Sequence, residues 1–198
     1  MEDKQYTVML DMDQTLIESV FPDDKRYKSC PGKVIKYNDD RKVVTLKVNV
    51  RPYALHLIKS IRKHGLQYLI WSAGTYDYVH AVMKYVTELS QIEPDFIYTR
   101  IDMVNIGGHM RKSLSSKNFN SDYVIIIEDN PNFVDPAERK HVISVSSWTF
   151  DVVDDVELQW ISPLLATYGV VTSFYNQGYS DVLSYLDTCH APEETIYA

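Results

Sequence analysis

Asp11 and Asp13 stand one residue apart, directly after the apolar run Val8-Met9-Leu10. Two carboxylates in a loop leaving a buried strand can divide covalent work. One attacks as a nucleophile, while the other gives a proton to the leaving group and then takes one from water. Alone, an Asp-x-Asp pair is often only a cap on the segment that follows. Three later groups change its meaning. Ser72-Ala73-Gly74-Thr75 lies between a strand pattern and a helix pattern, where a hydroxyl and free backbone N–H groups can receive phosphate oxygens. Lys112, within His109-Met110-Arg111-Lys112-Ser113-Leu114, can neutralise a phosphoryl group and an attacking carboxylate together. Asp129-Asn130 follows the apolar run Tyr123 to Ile127, and facing Asp11 and Asp13 it supplies the all-oxygen coordination that Mg²⁺ prefers. Each group has a simpler explanation: a helix cap, a solvated lysine, an Asp-Asn-Pro turn. Their order along the chain is what points to phosphoryl chemistry.

The elements that must position these groups are legible as short apolar runs alternating with helical periodicities, the pattern of an α/β domain with a parallel sheet. Tyr6 to Leu10, Leu66 to Trp71, Tyr123 to Ile127 and His141 to Val145 read as strands, the third rich enough in β-branched residues to be buried on both faces. Val34 to Tyr37 and Val43 to Val48 read as a hairpin around Asn38-Asp39-Asp40-Arg41, inserted after the first strand over about residues 20–50. Leu55, Ile58 and Ile61 share a face of a helix opened by Pro52. Val79, Val82, Met83, Val86 and Leu89 share a face of another, with Thr75 at its N-cap position. Ile161, Leu164, Leu165 and Tyr168 give a third helical face, which Pro163 should divide in two. Val182, Tyr185, Leu186 and Cys189 form a last one, capped by Ser180.

Composition narrows the classes. With 198 residues, 45% of them hydrophobic, the chain suits one domain with a full core, and nothing in it resembles a repeat or a long linker. A net charge of −7 disfavours a general nucleic-acid binder, although Arg111, Lys112 and Lys117 cluster in one segment. Two cysteines far apart, Cys30 and Cys189, call for no disulfide framework and suit a reducing compartment. Neither a secretory signal nor a membrane span is visible, and the expectation is a soluble intracellular protein, nuclear or cytoplasmic.

The ordered motifs resemble the haloacid dehalogenase superfamily. Within it, they are closest to the small phosphatases of the RNA polymerase II carboxy-terminal domain and their nuclear LIM interactor-interacting factor-like relatives. Asp11-Met12-Asp13-Gln14-Thr15-Leu16 matches the first motif, Arg51-Pro52 the conserved pair after the hairpin, and Ser72-Ala73-Gly74 the second motif. Lys112-Ser113-Leu114 matches the third and Asp129-Asn130 the fourth, while Ser147-Trp148, Asp155, Glu157-Leu158, Pro163 and Asp181-Val182 also look familial. The resemblance covers almost the whole chain. It implies a Rossmann-like parallel sheet flanked by helices and one phosphatase domain over residues 1–198. It also implies a Mg²⁺-dependent phosphoserine/phosphothreonine hydrolase working through an aspartyl-phosphate. Asp11 would be nucleophile and metal ligand, and Asp13 would be acid, base and, through its carbonyl, a metal ligand. Ser72, Ala73 and Lys112 would hold the phosphoryl oxygens, Asn130 would ligate the metal, and Asp129 would support the metal and Lys112. Thr15 would orient the loop. Gln14, Ser72, Gly74 and Ser113 depart from the family pattern, and the Lys112-to-Asp129 interval is one residue longer than usual.

The resemblance also implies a substrate pocket for a proline-containing phosphopeptide, the polymerase tail being one candidate. Phe21 and Tyr78 stand at the family's aromatic positions, Ile35, Tyr37 and Leu46 on the hairpin, and Arg100 before the third motif. Core aromatics are the competing explanation of Phe21 and Tyr78. At the level of the whole chain, the competing reading is a non-catalytic phosphopeptide-binding or scaffold member of the same family. Intact Asp11, Asp13, Lys112 and Asn130 argue against it. A phospho-accepting receiver domain places its acidic pair first and lacks the second Asp, and a nucleotide-binding domain lacks its Gly-rich loop here.

Overall fold

Val8, Leu10, Tyr68, Ile70, Ile125 and Ile127 are buried in one hydrophobic cluster, and Met9, Leu69, Trp71, Val124 and Ile126 in another. This alternation is what period-two side chains produce when a strand is covered on both faces. The computed structural model describes residues 6–40 and 42–176, with backbone alone for 170–176. In it, β1 (Thr7–Leu10), β5 (Gln67–Trp71), β6 (Phe96–Tyr98), β9 (Val124–Glu128) and β10 (Val142–Ser144) form a parallel sheet in the order β10-β9-β1-β5-β6. The chain runs outward from β1 through β5 to β6, then returns to the other side for β9 and β10. The reversal lies between β1 and β9, and the crevice beyond their carboxyl ends is where such sheets bind ligands.

Three helices, α1 (Ala54–Lys63), α2 (Tyr76–Ser90) and α3 (Glu157–Asn176), send Leu57, Ile58, Val79, Val82, Val86, Leu158, Ile161 and Leu165 into the first cluster. The other face is covered, among the described residues, by Leu114, Val134 and Phe119 from loops. Thr75 holds the N-cap position of α2, though its side chain makes no capping bond. No helix among the described residues is long and apolar enough to cross a membrane.

The structure corrects four expectations. Leu89 and Leu164 are exposed, and the buried face of α3 instead runs through Leu158, Ile161 and Leu165. Pro163 lies inside a continuous helix rather than dividing it. Its missing N–H leaves the Gln159 carbonyl without a helical donor, but both residues are exposed and water can serve. The insertion is a three-stranded antiparallel sheet, β2-β4-β3, in which β2 (Ile17–Val20) joins the expected pair β3 (Lys33–Asp39) and β4 (Lys42–Val50). A second hairpin, β7 (Val104–Ile106) and β8 (His109–Arg111), turns at Gly107 and Gly108, whose φ of 62° and 83° suit glycine. The final expected helix, with Asp181-Val182 and Cys189, falls outside the described residues. Cys30 is a buried free thiol that accepts a hydrogen bond from Asn49.

Candidate active site

Each group of the ordered set leaves the carboxyl end of a sheet strand or is delivered to it. Asp11 follows β1, and its N–H is fixed by the Ile127 carbonyl at 2.9 Å. Ser72 follows β5, its N–H on the Tyr98 carbonyl at 3.0 Å. Lys112 follows the Gly107-Gly108 hairpin. Its N–H donates to Phe133 O at 2.6 Å and its carbonyl accepts from Asp135 N at 2.9 Å, so both sides of its backbone are pinned. Asp129 follows β9. A pocket of about 220 Å³ is lined by Asp11, Asp13, Ser72, Ala73, Glu128, Asp129, Asn130 and Ser147. A larger, shallower groove of about 730 Å³ beside α2, around His80, Lys84 and Glu93, holds none of these groups, and size alone is no guide to the site.

The Lys112 ammonium is 2% exposed and lies 2.6 Å from Asp11 Oδ1 and 2.6 Å from Glu128 Oε2. Burial disfavours its charge, yet the two carboxylates outweigh that and hold its pKa above the ordinary value. Burial likewise raises Asp11, against the pull of Lys112 and with the Asp129 charge adding to the rise. Burial, helped by the Asp11 charge, pushes Glu128 up to about 7. Asp13 also rises to about 7, through burial first and against a hydrogen bond from Tyr78. Four acids around one ammonium leave a site short of positive charge.

Two other contacts close the frame. Thr15, fully buried, donates to Asp129 Oδ1 at 3.2 Å and accepts from Asp129 N at 3.1 Å, which ties the first-motif loop to the end of β9. The Ser147 hydroxyl donates to Asp129 Oδ2. Arg51, 2% exposed, bonds the Thr15 and Ser146 carbonyls at 3.3 and 3.0 Å and pairs with Asp155 at 2.7 Å and Glu157 at 2.8 Å. It thereby ties that loop to the start of α3.

Sequence reasoning passed over Glu128. It stands in the polar turn that ends the apolar run Tyr123 to Ile127, and only the extra residue between Lys112 and Asp129 signals a shift. In the structure Glu128, not Asp129, pairs with Lys112. One carboxylate oxygen from each of Asp11, Glu128 and Asp129 lies within 4.8 Å of the other two. Asn130 lines the pocket, but its Oδ1 accepts from Asn132 N at 3.2 Å and its N–H donates to Glu128 Oε1 at 3.0 Å. An all-oxygen set of this kind fits a hard divalent cation such as Mg²⁺. Asp11 and the half-buried Asp129 are the carboxylates that would hold it, since Glu128 is buried with Oε2 on Lys112 and Oε1 on the Asn130 N–H.

The substrate-pocket residues divide. Phe21 is partly exposed, and its ring lies 6.2 Å from that of Tyr78, which is 5.9 Å from Tyr37. Ile35 packs beside the core, and Leu46 has no exposed surface and can only support the wall from behind. Arg100 lies across the second-motif loop, with Nε on the Ala73 carbonyl at 2.7 Å. The Arg111, Lys112 and Lys117 cluster is no basic patch. Lys112 is buried, Lys117 pairs with Asp102 at 2.7 Å, and Arg111 bonds the Asn132 carbonyl.

The raised carboxylates set a pH dependence of stability. Folded Asp13 and Glu128 keep protons between the ordinary carboxylate value near 4 and about 7, whereas the unfolded chain releases them. The folded state then binds more protons in that window, and stability falls as pH rises through it. In chelator, the melting temperature should drop from about pH 5 to about pH 8. Added Mg²⁺ should restore part of it at the upper end. A profile that climbs across this range would contradict the burial of these acids.

A family model described as NLI interacting factor-like phosphatase matches residues 6–175. Fission yeast RNA polymerase II CTD phosphatase Fcp1 bound to beryllium fluoride superposes with TM-score 0.57 at 15% identity, over 94% of this chain and 56% of that one. A second structure of Fcp1, an essential RNA polymerase II CTD phosphatase, gives TM-score 0.57 at 18% identity, over 98% of this chain and 56% of that one. The chain thus spans little more than half the length of each. At these identities the likeness is one of fold, the haloacid dehalogenase type. No curated protein matches the chain significantly.

Proposed function

The chain belongs to the NLI interacting factor-like phosphatase family, and from that premise we propose that it is a Mg²⁺-dependent protein serine/threonine phosphatase acting through an aspartyl-phosphate on Asp11. The observation that carries this is the buried ammonium of Lys112 held 2.6 Å from Oδ1 of Asp11, which lines one pocket together with Asp13 and Ser72. Lys112 has three donors, and two are spent on Asp11 and Glu128. The third, with the Ser72 hydroxyl and the second-motif loop at Ala73, receives phosphoryl oxygens. Asp11 attacks phosphorus, and a P–O bond to Asp11 forms as the bond to the seryl oxygen breaks. Asp13 gives its proton to that oxygen. Asp13, now a carboxylate, takes a proton from water, whose oxygen attacks the same phosphorus. Phosphate leaves and Asp11 is regenerated. A carboxyl raised to about 7 is suited to give and take a proton near neutrality. Mg²⁺, when bound by Asp11, Asp129 and the Asp13 carbonyl, screens the repulsion between the phosphate dianion and the acids of the pocket.

Support for a polymerase-tail substrate comes from the folds of Fcp1, described as an RNA polymerase II CTD phosphatase, and from Phe21 and Tyr37, whose rings lie beside that of Tyr78, itself bonded to Asp13. A panel of phosphopeptides should therefore show Mg²⁺-dependent release of phosphate from phosphoserine-proline tail peptides, stopped by chelator. The metal assignment is separable. Asp129→Asn should raise the Mg²⁺ needed for half-maximal activity by roughly tenfold or more, whereas Asn130→Ala should raise it far less. The opposite ranking would return the ligand role to Asn130, and full activity in excess chelator would remove the metal altogether.

A further inference from the structure

The phenol of Tyr78, on the first turn of α2, is 7% exposed and donates a hydrogen bond to Asp13 Oδ1. Its oxygen also lies 2.7 Å from Ser19 Oγ on β2. A phenol has one proton. With that proton on Asp13, the serine hydroxyl must supply the hydrogen of the second contact. The result is a relay in which Ser19 fixes Tyr78 and Tyr78 fixes one oxygen of Asp13. The other oxygen, Oδ2, is 3.4 Å from the Ser72 hydroxyl, and both residues line the candidate pocket.

The ring is fixed as well as the hydroxyl. Tyr37 and Phe21 lie against it, and Gly74 presses on its edge: a Cβ there would stand 2.6 Å from Tyr78 Cδ1. In this structure a side chain at position 74 would crowd the tyrosine ring.

Resting on the phosphatase reading above, we propose that Tyr78 is a positioning residue for proton transfer: it holds Asp13 Oδ1 so that Oδ2 faces the leaving oxygen. The phenol is thus part of the catalytic arrangement, not merely an apolar wall for substrate. Its contribution appears only where the leaving group needs a proton.

The test is Tyr78→Phe, which keeps the ring and removes the hydroxyl, measured as kcat/KM on aryl phosphates of one size with leaving groups of increasing basicity. This parameter reports the step up to cleavage of the ester bond. The loss should grow along the series, from about twofold for p-nitrophenyl phosphate to roughly tenfold or more for phenyl phosphate and a phosphoserine peptide. KM for the small substrates should change little, and the melting temperature should stay within a few degrees of wild type. Ser19→Ala should show the same slope to a lesser extent, with the ring untouched. Asp13→Asn, run in parallel, should show the trend at its largest. A uniform loss across the series, or no loss at all, overturns the role of Tyr78 while Asp13→Asn keeps its slope. If Asp13→Asn shows no dependence on leaving group, the acid assignment itself fails and the tyrosine role falls with it.

Discussion

Asp11→Asn should leave a folded protein with no measurable turnover, a loss on the order of 10⁴-fold or more in kcat. The amide is close in size to the carboxylate, and the Lys112 ammonium can still bond its oxygen, so the frame of the pocket remains. The lost capacity is nucleophilic attack. Stability should not suffer and can rise. Asp11 adds negative charge beside Glu128, lifting the Glu128 carboxyl, and a neutral amide removes that repulsion. A melting temperature equal to or above wild type, together with absent activity, is the expected pair of results. Residual turnover within a hundredfold of wild type would mean that another group attacks phosphorus.

Lys112→Met should produce the largest loss of stability in the site. The thioether matches the lysine stem in length but leaves Asp11 and Glu128 buried without their cation. Breaking a buried pair by removing one partner typically costs about 3–5 kcal/mol. The deficit should be pH-dependent, and its sign is fixed. Without the ammonium both carboxyls rise further and take up protons as pH falls, so the gap from wild type should narrow between about pH 7.5 and pH 5.5. Adding Glu128→Gln should recover part of the lost stability at neutral pH. Urea melts at the two pH values measure this directly. A variant as stable as wild type at pH 7.5 would contradict the claim that the lysine is the counter-ion for two buried acids.

The sheet was readable because β1, β5 and β9 are continuous apolar runs that end at polar residues. Burial on both faces leaves little choice of residue there. The groups of the first three motifs were readable for the same reason, since each follows the end of such a run or a motif of fixed order. What could not be read depended on where side chains meet across the fold. Glu128 completes a strand, and only its approach to Lys112 makes it part of the site. Tyr78 was legible as an aromatic near the pocket, but the bond to Asp13 needs the relative placement of α2 and the first-motif loop. β2 and β6 are short and strengthened by partners far along the chain, so local pattern gave no hint of them. The β7–β8 hairpin did leave a signal, Gly107-Gly108 between apolar residues, and it is the element that delivers Lys112.

The central claim is a covalent phosphate on Asp11, and acid quenching tests it most directly. Protein mixed with a ³²P-labelled phosphopeptide or aryl phosphate, stopped in acid within the first turnovers, should retain label. Proteolysis should map that label to the peptide containing Asp11, and mild alkali should release it as expected of an acyl phosphate. Asp13→Asn, given an aryl phosphate with a good leaving group, should hold more label than wild type, because the base for the second step is missing. Label on Ser72, or turnover at full rate with none trapped on Asp11 in either protein, would contradict the account.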